Sequence, residues 1–341
     1  MLSRKYPRPL LMVPLRRCGS HALRLRLIAN PDFFSPYPLH QVDFMHLVKH
    51  YGDLSDDMNY FRLITDFIGF ANASSVRWIG VDWDPVHVFN SIKEEKRSIH
   101  TINWALLLRA GQRQGAQVCM CKSLDNVHYA EELMDLFDNM LFLNVVRDPR
   151  GQISSINRAI IHNFDTYLNT KLWIQAYEKV SKLAKQYPDR VLTIRFEDFI
   201  ANYEEVLRMI CEFIDIEFLE DMLDLSDSSE AKDISNRSAL WKSNHSAPIK
   251  ANVDKFRRYL SMEEIEMIET VTGDMMDYYG YERITDGNFT ISEEMEEKAQ
   301  KNHEANKVKA WADLKKKNPQ DFVMRKFRAD YLADLERRLT S

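Results

Sequence analysis

Four short apolar runs punctuate the chain: 10–15 (LLMVPL), 117–121 (QVCMC), 141–146 (LFLNVV) and 190–195 (RVLTIR). Each is shorter than a helix usually runs and ends in polar residues, so each predicts a buried strand. Elsewhere apolar residues recur three and four apart, the helical period. This pattern predicts helices at 20–29 (SHALRLRLIA), in several segments between 42 and about 115, at 131–138 (EELMDLFD), 151–162 and 170–186, and in one piece over 197–214. The three prolines of 31–38 (PDFFSPYP) predict a turn-rich loop. Strands alternating with helices at this rhythm predict an α/β fold of three layers, a central parallel sheet between helices. Such a sheet places its ligand beyond the carboxyl ends of its strands.

Beyond residue 285 the composition changes to Glu, Lys and Ala, with Trp311, Phe322, Phe327 and Tyr331 as sparse anchors. Aromatics spaced along such a stretch predict a charged helical extension rather than disorder. The expected organisation is a catalytic domain over 1–285, with 42–115 as a helical insertion walling a pocket, and an extension over 286–341. That extension is also expected to serve as a homodimer contact.

At 341 residues, 45% of them apolar and 28% charged, the chain has the composition of a soluble globular protein. A formal net charge of -5 argues against nucleic acid as a partner. Four cysteines, Cys18, Cys119, Cys121 and Cys211, suggest no disulfide framework and point to the cytoplasm. Cys119 and Cys121 read as core thiols, because a lone C-x-C is poor metal spacing. The N-terminal MLSRKYPRPLLMVPLRR is broken by prolines and lacks the apolar run of a signal peptide. No apolar run approaches the roughly 20 residues of a membrane span.

The candidate chemistry lies at two strand ends. In 16–21 (RRCGSH), between the first strand and its helix, Gly19 permits close backbone approach, Ser20 offers a hydroxyl, and Arg17 and His21 offer charged donors. A strand turning into a helix here aims N–H groups and a positive dipole at one point, an anion site. The triphosphate motif G-x-x-x-x-G-K-[ST] is not met: Pro14 stands at the first glycine and Ser20 at the lysine. At the second strand end, Arg147 closes LFLNVV and Ser155 follows on the next helix, a second anion grip. Two grips imply a ligand with phosphates at two separate places.

The combination P-x-x-R-C-G-S-H with V-R-D-P-R-x-x-x-S-S resembles the sulfotransferases that use 3′-phosphoadenosine 5′-phosphosulfate (PAPS), a P-loop-like family. The segments 195–199 (RFEDF) and 255–282 (KFRRYLSMEEIEMIETVTGDMMDYYGYE) extend the resemblance, which runs from about residue 10 to 282. The resemblance implies that Arg17, Cys18, Gly19, Ser20 and His21 cradle the 5′-phosphosulfate. Arg147 and Ser155 would hold the 3′-phosphate, Phe196 would lie near the adenine, and Lys250 or Lys242 would close over the 3′-phosphate. The product would be 3′-phosphoadenosine 5′-phosphate.

The expected reaction is in-line transfer of a sulfuryl group to a hydroxyl or amine of a small-molecule or saccharide acceptor. Charge on the leaving phosphate would be stabilised by Arg17, Ser20, His21 and loop amides, with no metal required. For the base, counting on from Arg17 to the family's glutamate position arrives beside His40, whose imidazole suits proton transfer near neutrality. Lys122 matches the lysine of the family's K-T-H element, while Leu124 occupies the histidine position and leaves Asp125 and His128 as substitutes. Lys122 is expected to hold the bridging or sulfonyl oxygen. Two rivals stand beside this reading: an ATP-dependent small-molecule kinase, and a non-catalytic nucleotide-binding protein on the same fold.

Overall fold

The computed structural model describes residues 6–74, 76, 78, 80–225 and 253–341. Five strands, β1 (Arg8–Val13), β2 (Phe33–Phe34), β3 (Val118–Cys121), β4 (Leu141–Val146) and β5 (Val191–Arg195), form one sheet in the order β2-β3-β1-β4-β5. Both β1 and β2 pair in parallel with β3, Arg8 and Phe33 each standing opposite Val118. Every residue of β3 is buried, and burial is unbroken from Pro9 to Val13 and from Phe142 to Val146. Continuous burial without alternation is what helices on both faces of a sheet produce.

The first strand begins two residues before the expected run and stops at Val13, because Pro14 has no N–H for a ladder. Strand β2 lies inside the segment expected to be loop. Two residues are too few to show alternation; the pairing is fixed when the Gln117 and Val118 amides both donate to the Asp32 carbonyl (2.8 and 3.0 Å).

The helices are α1 (Ser20–Leu27), α2 (Asp57–Asn72), α3 (Pro85–Ile92), α4 (Ile99–Arg113), α5 (Ala130–Leu136), α6 (Pro149–Asn157), α7 (Thr166–Gln186), α8 (Phe196–Ala201), α9 (Tyr203–Ile214), α10 (Met262–Tyr278), α11 (Glu294–Lys317) and α12 (Pro319–Thr340). Asp56, Asp84 and Ser98 cap α2, α3 and α4 by accepting backbone N–H bonds. Helix α6 starts two residues before the expected 151 because Pro149 occupies its first position and Asp148 caps it. The single helix expected over 197–214 is two, divided at Asn202, whose side chain caps α9 by accepting from the Glu205 amide. The C-terminal extension is helical, and Asn318-Pro319 separates its two helices.

Packing divides the chain into two compact units. One comprises Met1–Val13, Leu27–Phe142 and Gln320–Ser341; the other comprises Pro14–Arg26 and Leu143–Pro319. In the first, Phe44 sits against Phe67 and Phe70 with ring centroids 5.5 and 5.3 Å away. In the second, Trp173 and Tyr177 of α7 are wholly buried. All four cysteines are buried and unbridged. Burial pushes the Cys119 and Cys121 thiols up from their ordinary pKa and Cys211 to about 11. Among the described residues, no helix is long and apolar enough to cross a membrane.

The second unit also buries an ionic trio. Arg150 donates to Asp148 Oδ2 (2.6 Å) and to Glu269 Oε1 (2.5 Å), and Glu269 is fully enclosed. Burial alone would lower the Arg150 pKa, but the hydrogen bonds and charges of Asp148 and Glu269 outweigh it and raise it. Glu269 also accepts from the amides of Ile284 and Thr285, tying α10 to the segment that follows it. Glu269→Ala strips Arg150 of one counter-charge in a buried place, and a loss of about 3–5 kcal/mol is expected in urea unfolding; Glu269→Gln, which keeps the acceptor, should cost less.

Candidate functional site

In the second unit the loop from Pro14 to Gly19 turns into α1 at Ser20. Arg17 has φ 70° and Gly19 φ 92°. The left-handed region suits glycine and is strained for arginine. A Cβ on Gly19 would also collide with the Phe196 ring, so that position has two reasons to be glycine. No acidic residue stands in the first turn of α1, leaving its positive end without a competing carboxylate of its own. The loop is held from α6. Gln152 Nε2 donates to the carbonyls of Leu15 (3.2 Å) and Arg16 (2.9 Å), while its Oε1 accepts from Trp173 Nε1 (3.0 Å) and the Tyr177 hydroxyl (2.9 Å).

The strand end that holds Arg147, and α6 with Ser155, meet the first loop in the same unit. Arg17 Nε donates to Ser155 Oγ at 3.1 Å, across 138 positions of sequence. Arg147 Nη1 donates to the Arg17 carbonyl at 2.9 Å, and its guanidinium carbon lies 4.4 Å from the centroid of the Phe196 ring. Arg147 is only 9% exposed. Burial pushes its pKa down and the charge of Glu197 opposes this. Glu197 is itself raised by burial, against the hydrogen bonds it accepts from the Tyr281 hydroxyl (2.7 Å) and the Asp148 amide (3.2 Å). Asp148, the sequence neighbour, turns its carboxylate to Arg150. A guanidinium under an aromatic face offers a chemistry suited to receiving an anion.

In the first unit, His40 takes φ 52° and ψ 57°, again left-handed. Its amide donates to Ser123 Oγ at 3.2 Å, and Ser123 and Lys122 follow β3, each 2% exposed. Asp125 and His128 lie on a short 3₁₀ turn, Leu124–Tyr129. Beside His40, Gln41 Nε2 donates to His100 Nδ1 at 2.9 Å, which requires a neutral ring with its proton on Nε2. Burial holds the His100 pKa at about 4.

The structure thus gathers Arg17, Gly19, Arg147, Ser155 and Phe196 in one unit, and in the other sets His40 beside the residue next to Lys122. Cys18 is wholly buried, and Ser20 (4% exposed) and His21 open α1. Lys250 and Lys242 lie outside the described residues. Three residues escaped the sequence reading. Gln152 and Glu197 sit inside the quoted motifs, but their partners lie far along the chain, and Ser123 signals only through its place next to Lys122.

The sequence model of the Sulfotransferase family matches residues 9–221. The chain belongs to this family. The sulfotransferase domain of the Synechococcus PCC 7002 olefin synthase is 22% identical, with a TM-score of 0.52, the alignment covering 82% of this chain and 97% of that one. The sulfotransferase domain from the curacin biosynthetic pathway is 17% identical, with a TM-score of 0.54, covering 82% and 99%. At these identities the likeness establishes the fold alone. A comparison with curated proteins finds no match.

Two measurements probe this sulfotransferase fold, one at the Gly19 loop and one at His100 in α4. Gly19→Ala should displace Phe196 and disturb the loop; a crystal structure with the wild-type loop and ring positions would contradict it. His100 stays neutral in the folded chain down to about pH 4, whereas an unfolded histidine protonates near 6.5. Stability is therefore full above pH 6.5 and falls as pH drops toward 4, by about 3 kcal/mol from this group. His100→Gln should flatten the pH dependence of urea midpoints across that window.

Proposed function

We propose that the chain transfers a sulfuryl group from PAPS to a hydroxyl or amine of a small-molecule or saccharide acceptor. The observation that carries this reading is the contact of Arg17 with Ser155 and Arg147 beside Phe196, two anion grips and an aromatic face meeting in one unit. The cradle fits a nucleotide with two phosphate groups: Gly19 leaves backbone room, α1 offers its N-terminus, and Arg17 and Arg147 supply cations of fixed fork geometry.

The donor supplies the sulfuryl group and a phosphate that leaves as the new bond from acceptor oxygen or nitrogen to sulfur forms. Arg17, Ser20, His21 and the loop amides bear the charge that gathers on that phosphate. Arg147 and Ser155 hold the 3′-phosphate, and Phe196 packs by the adenine. His40 takes the acceptor's proton on an imidazole nitrogen, and Lys122 holds the sulfonyl oxygens. The long reach of the contacts around Gln152 keeps the loop in place before the donor arrives, so little reorganisation is needed on binding.

Calorimetric titration with 3′-phosphoadenosine 5′-phosphate tests the donor side. Binding at micromolar or tighter Kd is expected, weakened about 10- to 100-fold in Arg147→Ala, as the loss of charge-assisted bonds implies. Tighter binding of ATP than of this nucleotide, or an unchanged Kd in Arg147→Ala, would overturn the reading. Incubation with radiolabelled PAPS and a panel of hydroxyl and amine acceptors should transfer label to one class, and His40→Asn should lower that transfer by about 100-fold or more.

A further inference from the structure

The family match ends at residue 221, well before α12. Within the first unit this last helix lays one face along α2. Arg328, Tyr331, Leu335 and Arg338 are spaced three, four and three apart, the period of one helical stripe. The Tyr331 hydroxyl donates to the Asp66 carbonyl (3.1 Å), and Gly69 gives the room for its ring: a side chain there would collide with it. Leu335 is buried, and Arg338 pairs with the Asp66 carboxylate at 2.5 Å. These three contacts account for docking. Arg328 does something else.

The Arg328 guanidinium reaches past α2 to the loop that bears His40. Nη2 donates to the Leu39 carbonyl (2.6 Å), leans toward the His40 carbonyl (3.5 Å) and pairs with Asp43 Oδ2 (3.1 Å). Nη1 donates to Ser74 Oγ (2.6 Å), and the guanidinium carbon lies 4.1 Å from the centroid of Phe70. On the opposite side of the same peptide, the His40 amide donates to Ser123 Oγ. His40 is therefore gripped on both flanks while its backbone is left-handed, a conformation a non-glycine residue keeps only where its surroundings impose it.

We propose that Arg328 is a positioning residue for His40: the C-terminal helix completes the active site by locking residues 39–43 in the strained turn that aims the imidazole. The fork is what the task requires. A guanidinium can serve a carbonyl, a carboxylate and a hydroxyl in one plane while stacking on an aromatic ring, and an ammonium cannot. Calling His40 the base rests on the function proposed above; the lock itself does not.

The test uses the full chain with histidine labelled at Cε1 for NMR, the His40 signal being assigned by His40→Asn. In Arg328→Ala and Arg328→Lys the His40 signal should shift or broaden, while Tyr331→Phe, which loosens the same helix without touching the loop, should leave it in place. Binding of 3′-phosphoadenosine 5′-phosphate should be unchanged in all three, showing that they are folded. A His40 signal identical to wild type in folded Arg328→Ala, or moved equally by Tyr331→Phe, would overturn the lock. Failure of the wild-type chain to bind the nucleotide would instead overturn the donor reading and leave the lock to be judged on the His40 signal alone.

Discussion

A buried guanidinium, that of Arg147, organises the loop between β1 and α1. Asp148, the next residue in sequence, pairs with Arg150 and caps α6. Around Arg147 stand the Arg17 carbonyl, the Phe196 face and Glu197, whose own pKa burial raises. Desolvating a cation is expensive, and burial, opposed by the charge of Glu197, lowers the Arg147 pKa. The same residue fixes the first loop, because the carbonyl it holds belongs to Arg17. One side chain at the end of β4 thus sets the shape of the loop before α1.

Backbone strain follows the chemistry. Among the described residues four non-glycine positions have positive φ: Arg17, His40, His162 and Asp215. Asp215 merely ends α9. Arg17 and His40 are the residues whose types and spacing already drew attention, and each is held from both sides by side chains remote in sequence. Arg17 is held through Arg147 and Ser155, His40 through Ser123 and Arg328. Strain of this kind marks places where orientation is worth more than local comfort.

Much of the fold could be read from the pattern of apolar runs, since strands buried on both faces appear as unbroken Leu, Val and Ile. The two-residue β2 could not, because its pairing rests on the Asp32 carbonyl rather than on any alternation. Helix ends moved where a single residue decided them: Pro14 for β1, Pro149 and Asp148 for α6, Asn202 for the break before α9. The two strand ends that hold Arg17 and Arg147 were legible because an apolar run breaks into Arg, Gly and Ser at each; that they touch one another was not. Nor were the roles of Gln152 and Arg328. Glutamine on a helix, or arginine on a charged one, reads as solvated surface until the partner 136 or 289 positions away is known. The stripe on α12 mixes Arg, Tyr and Leu, so hydropathy gives it no apolar face.

Three of the four thiols have a practical consequence. Cys119, Cys121 and Cys211, buried and held toward the protonated form, offer little thiolate to alkylating reagents or peroxides at neutral pH. A cysteine introduced at an exposed position such as Met58 would react with a maleimide fluorophore ahead of these three.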